Sequence, residues 1–217
     1  MDILVEGGGY MNAWIETQPQ GLTYQRAIDA FERYGHFAEV SLLGNKLLPV
    51  LIRNECQFSQ QLDAMTGDPS GPKPDGYGPM MLAALEYFSR LHGIHMDVSN
   101  NRVWWSSVDP KAEDFNYRQR WGTQNFELRH SNGKFEALVG GKPVFKCDSG
   151  VRVITDLDGR LLDLVGISPD KQDVKLIVSG ITQSATVSPN EIHELTSTGI
   201  QIKSRVPFSP PNPISKP

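Results

Sequence analysis

From Leu22 to Tyr34 the apolar residues Tyr24, Ala27, Ile28, Phe31 and Tyr34 recur at helical spacing, while Arg26, Asp29, Glu32 and Arg33 fall largely off that face. Gly35 is a natural stop. A second helix is predicted over about 37–54, carrying Leu42, Leu43, Leu47, Leu48, Val50, Leu51 and Ile52, with a break or kink expected at Gly44 and Pro49. Two helices joined by a short turn make a helical hairpin. A third helix opens at Pro79, whose missing N–H suits a first turn. It sets Met81, Leu82, Leu85, Phe88 and Leu91 on one face, which is expected to be core.

Gly93 ends that pattern, and Trp104 and Trp105 are expected as a buried junction between two halves of the chain. Residues 109–124 read as a polar connector with a few aromatics. From Asn125 onward the period shifts to two. Phe126, Leu128, Phe135, Ala137 and Val139 alternate with polar neighbours across an Asn132-Gly133 turn, a strong hairpin signal. A second hairpin is predicted from Val151, Val153 and Thr155 through Asp158-Gly159 into Leu161, Leu162, Leu164 and Val165; residues 174–178 and 200–202 read as later strands. Short strands with regular turns predict a small antiparallel β-sandwich over 125–206, followed by a proline-rich tail at 207–217 that is too rich in proline to pack regularly.

Composition changes this picture little. The chain has 217 residues, 39% hydrophobic and 21% charged, which is enough for a sizeable core in one or two domains. A net charge of −4 and a pI near 5.7, with no lysine or arginine run, argue against nucleic acid or an anionic membrane as partner. Cys56 and Cys147 are far apart and lack zinc-type spacing, so free thiols are expected. His92 and His95 have no third metal donor spaced nearby, and neither metal nor cofactor is implied. No unbroken apolar stretch is long enough to span a bilayer, and the first residues lack the basic start and apolar run of an export signal, so the compartment stays open.

The chemistry concentrates in residues 58–87, where Gly67, Pro69, Gly71, Pro72, Pro74, Gly76 and Gly78 impose successive turns ahead of the third helix. Around Asp63 and Asp75 this loop mixes carboxylates, amides and Tyr77, side chains suited to hydroxyl-rich ligands; turn-forming aspartates would look the same. Near the start of the chain, Tyr10 and Trp14 stand beside Glu16. A sugar ring stacks its flat apolar face on indole while a carboxylate accepts from its hydroxyls.

The run DAMTGDPSGPKPDGYGPMMLAALEY resembles the closing loop and last inner helix of six-hairpin (α/α toroid) glycoside hydrolases, especially the processing α-glucosidase and trehalase-like group. There a Trp-Glu-Asn-Tyr segment leads into Asp-Pro-x-Thr-Gly, a Lys-Pro-Asp loop and Gly-x-Gly-Pro opening a helix. Residues 8–35, with Tyr10, Trp14 and a helix ending in Arg-Tyr-Gly, resemble that group too. The resemblance covers about the first half of the chain. It implies an α+β protein whose residues 1–108 are helical hairpins of a partial toroid, and a chain that is the C-terminal portion of a longer hydrolase.

Glycoside hydrolysis generally needs two carboxyl groups across the scissile bond. The family register puts Gln60 where the general base would stand, and an amide cannot take a proton at neutral pH. Glu16 and Glu55 are then the candidate catalytic carboxylates, with Tyr10, Trp14, Gln60, Asp63, Asp75 and Tyr77 as candidate substrate-binding residues. Nothing in the chain matches the family's general acid. Two readings follow: a piece of a glycosidase that acts on or binds carbohydrate, or a non-catalytic carbohydrate-binding or interaction fragment. The partner is carbohydrate, together with the missing part of the hydrolase or further copies of the chain, because an incomplete toroid would leave apolar surface uncovered.

Overall fold

The computed structural model describes residues 21–56, 58, 68, 77–196 and 199–210. The chain divides into two compact units, Met1–Phe88 with Ser209–Pro217, and Ser89–Phe208. Three helices are described, α1 (Gly21–Arg33), α2 (Phe37–Arg53) and α3 (Gly78–His92), followed by 12 strands in two six-stranded antiparallel sheets. The α+β class holds. The partial toroid does not, because three described helices followed by a chain that is mostly sheet are not the repeated helical hairpins of that family.

α1 buries Tyr24 and Ile28 and stops as its sequence predicts. Gly35 takes φ +84°, its N–H donates to the Glu32 carbonyl, and the His36 N–H reaches back to Phe31 at 2.8 Å. These two bonds satisfy carbonyls left open at the helix end, and the Phe31 and His36 rings close over them edge to face at 6.0 Å. α2 differs from expectation in running unbroken through Gly44 and Pro49, with Leu43, Leu47 and Leu51 buried along one side. Buried Glu39 accepts from the Ser209 N–H at 3.1 Å, which anchors the start of the proline-rich tail; 211–217 lie outside the described residues.

α3 forms where expected but turns its other face inward. Met80, Ala83, Tyr87 and Leu91 are buried, whereas Met81, Leu82, Leu85 and Phe88 are 42–58% exposed. Both stripes are apolar, so periodicity locates the helix without choosing its buried side.

The second unit is a β-sandwich. One sheet runs β1 (Ile94–Asp97), β2 (Arg102–Ser107), β7 (Val151–Thr155), β8 (Leu161–Gly166), β11 (Glu191–Thr196), β12 (Gly199–Arg205). The other runs β10 (Ile181–Val187), β9 (Gln172–Val178), β6 (Lys142–Asp148), β5 (Lys134–Val139), β4 (Gln124–Ser131), β3 (Phe115–Trp121). Inward residues of both sheets share one core: Val103, Trp105, Val153 and Leu164 meet Phe126, Leu128, Phe135, Phe145 and Leu176. At its centre Trp105 packs on Phe126 and Phe145 with ring centroids 6.1 and 6.2 Å away.

The predicted hairpins form on their predicted turns. Asp158-Gly159 lies in the turn that joins β7 to β8, Asn132-Gly133 joins β4 to β5, and a further turn, Gly140-Gly141, joins β5 to β6; in the last two both residues stand at positive φ. That is the backbone twist a two-residue hairpin turn requires. Residues 109–124, read as a connector, contain β3, and the strands begin already at Ile94. β3 lies at the sheet edge with Asn116, Arg118 and Arg120 outward, so half of its residues carry no apolar signal.

Candidate functional site

Of the expected site residues, Tyr10, Trp14, Glu16, Gln60, Asp63 and Asp75 lie outside the described residues. Tyr77 is half-buried ahead of α3, its N–H donating to the Phe58 carbonyl at 2.8 Å and its own carbonyl accepting from Met80. Glu55 is exposed in the turn that ends α2, with φ +54°. Its N–H donates to Ile52 and the Cys56 N–H to Leu51, the same closing pair that ends α1. Glu55 thus occupies the left-handed position that glycine fills after α1. A side chain there is strained, and Glu55→Gly is expected to raise stability by about 0.5–1 kcal/mol, measured as a higher midpoint in urea. An unchanged or lower midpoint would show that the carboxylate does something the backbone does not require.

Trp104, on the face of β2 opposite Trp105, gathers three nitrogen-bearing groups. The His95 ring lies 4.9 Å from its indole, the Arg152 guanidinium 4.7 Å and the Arg90 guanidinium 5.5 Å. Arg152 is buried and donates to the Ser106 hydroxyl and the Arg90 carbonyl, both at 2.9 Å. Burial first, then the charges of Arg90 and Arg152, push the His95 imidazole down to about 3, so it stays neutral through the physiological range. The Arg90 and Arg152 guanidiniums stacked on the indole tie the end of α3 and β7 to β2, and the neutral His95 ring adds β1. Among the described residues no group of three or more His, Cys, Asp or Glu is placed to hold a metal, and no helix is long and apolar enough to cross a membrane.

A different tryptophan is presented to solvent. Trp121 ends β3 with 53% of its surface exposed, at the tip of the β3–β4 hairpin. Gly122, at φ +58°, turns the chain, and the Arg120 guanidinium donates to the Gly122 carbonyl at 3.1 Å, which holds the tip in shape. Trp121 pairs across the hairpin with Gln124, so an amide stands beside the indole on the same face, with the exposed Thr123 hydroxyl at the turn. A flat apolar ring next to neutral donors and acceptors is chemistry for stacking and hydrogen bonding, not for proton transfer. Sequence reading passed over Trp121 because it sits in a stretch taken for a connector. The signal available was a tryptophan followed at once by a glycine turn, with polar residues on both sides.

No protein-family model, curated protein or solved structure matches the chain. The six-hairpin resemblance therefore has neither a family match nor a helical framework behind it.

Proposed function

We propose that this is a non-catalytic carbohydrate-binding protein whose sugar contact is the Trp121 hairpin tip. The observation that carries this reading is the exposed indole of Trp121 held beside Gln124 and Thr123 on a braced turn. A sugar presents one face rich in C–H and a rim of hydroxyls that both donate and accept. An indole takes the first, while neutral amides and hydroxyls take the second. Catalysis is not part of the reading, since glycoside hydrolysis needs a pair of carboxyl groups roughly 5–10 Å apart across a cleft. Among the expected acids only Glu55 is described, and it stands exposed in a helix-ending turn.

The test is calorimetric titration of the chain with neutral oligosaccharides. Trp121→Ala is expected to weaken binding at least tenfold, a loss of about 1.4 kcal/mol, and Trp121→Phe to recover part of it. Equal affinities for all three proteins would remove the hairpin from the site.

A second reading, an interaction fragment, draws on the exposed stripe of α3. Met81, Leu82, Leu85 and Phe88 form an apolar stripe along about two turns of one helix. On this reading the chain self-associates as its concentration rises, which light scattering would register; a monodisperse monomer at high concentration would contradict it.

A further inference from the structure

On the outward face of β9 and β10, at the far edge of the second sheet from β3, lies a shallow depression of about 310 Å³ lined by Asp173, Val174, Lys175, Ser184, Ala185 and Thr186. Its volume falls at the low end of small-ligand sites, roughly 300–1,000 Å³. Cross-strand pairing fixes its walls: Asp173 faces Thr186 and Lys175 faces Ser184, with Val174 opposite Ala185 between them.

The chemistry of the four exposed side chains is balanced. The Thr186 hydroxyl donates to Asp173 Oδ1 at 2.5 Å, which orients the carboxylate and leaves Oδ2 to accept from a ligand. The Lys175 backbone N–H is held by Asp148 Oδ2 at 2.9 Å, fixing the strand beneath it. The exposed Lys175 side chain lines the depression and supplies its positive charge. One positive and one negative group, with two hydroxyls, give a surface that offers donors and acceptors alternately and carries no net charge. An anionic ligand would meet the Asp173 carboxylate and a cationic one the Lys175 ammonium. Hydroxyl groups, which donate and accept at once, satisfy both.

The geometry points to the β9–β10 depression as a second binding site, for a neutral polyhydroxyl chain such as an oligosaccharide without carboxylate or sulfate groups. This rests on the carbohydrate reading above and extends it to a site about one sheet-width from Trp121. Neither site depends on the other's residues.

The experiment uses the full chain, labelled with nitrogen-15, titrated with cellohexaose, with maltohexaose and with an oligogalacturonate of matched length. At least one neutral hexasaccharide is expected to shift the backbone amides of residues 173–175 and 184–186, and the galacturonate to leave them in place. Asp173→Ala and Lys175→Met are each expected to weaken that response about tenfold, with Asp173→Asn intermediate and the shifts of residues outside the site confirming that each variant is folded. Shifts confined to the Trp121 hairpin would overturn the second site and leave the carbohydrate reading standing. A galacturonate response equal to the neutral one would overturn its selectivity. No shift at either place with any sugar would end the carbohydrate reading, and this site with it.

Discussion

Replacing Trp105 by alanine is expected to destabilise the β-sandwich by about 3–5 kcal/mol. The residue is fully buried at the meeting point of the two sheets, against Phe126 and Phe145 of the opposite sheet. Its Nε1 donates to the Thr155 hydroxyl of β7 at 2.9 Å, so truncation both opens a cavity and leaves a buried hydroxyl short of a donor. Domains of ordinary size have only about 5–15 kcal/mol in hand, and a loss of this size moves the urea midpoint far down. Trp105→Phe keeps most of the volume and gives up the hydrogen bond, with an expected cost of about 1–2 kcal/mol. If the alanine variant unfolded at the wild-type midpoint, the two sheets would not share the core described for them.

The second large effect belongs to Glu191, one of the most buried acids in the chain. Its carboxylate accepts from the Ser188 N–H at 2.8 Å, meets His193 Nε2 at 3.1 Å and pairs with Arg205 of β12. One group thereby joins the β10–β11 turn, β11 and the edge strand. Glu191→Ala is expected to cost about 3 kcal/mol, the low end for breaking a buried pair, because the Arg205 side chain is 61% exposed and water can take it back.

The pH dependence has a definite sign. Burial alone would raise the Glu191 pKa, but the Ser188 N–H, His193 and Arg205 outweigh burial and hold it below its usual 4.5. A carboxyl whose pKa is lowered by folding binds its proton more readily in the unfolded chain. Its contribution is complete above about pH 4.5 and is lost as the pH falls through the folded value. The stability gap between the wild-type chain and Glu191→Gln should therefore be wider near pH 6 than near pH 3, read from urea unfolding at each pH. A gap that grew toward acid would show that Glu191 is protonated in the fold.

How much of this was legible depends on whether the signal was local. The Asn132-Gly133 turn was readable because positive φ at two successive positions narrows the choice of residue. The stop at Gly35 was readable for the same reason. Glu55, in the same backbone position after α2, was not, since glutamate gives no hint of a left-handed conformation. The buried side of α3 depends on what the helix meets, and Met80-Ala83-Tyr87 and Leu82-Leu85 are equally good apolar stripes. β3 was missed because an edge strand shows one polar face and ends at an exposed Trp121. The toroid came from motif likeness in a glycine- and proline-rich loop, and such loops recur wherever tight turns precede a helix. Candidate sugar chemistry was expected at Trp14. Trp14 lies outside the described residues, and the contact proposed above is Trp121, on a hairpin that periodicity alone does not reveal.

The most direct test follows the indole N–H resonances of the four tryptophans, Trp14, Trp104, Trp105 and Trp121, while a neutral oligosaccharide is added to the nitrogen-15-labelled chain. Assignment by single Trp→Phe variants identifies each signal. A saturable shift of the Trp121 indole, with Trp105 unmoved in the core, is the predicted result. A shift at Trp14 with Trp121 unmoved, or no shift at all up to millimolar sugar, would contradict the hairpin as the carbohydrate contact.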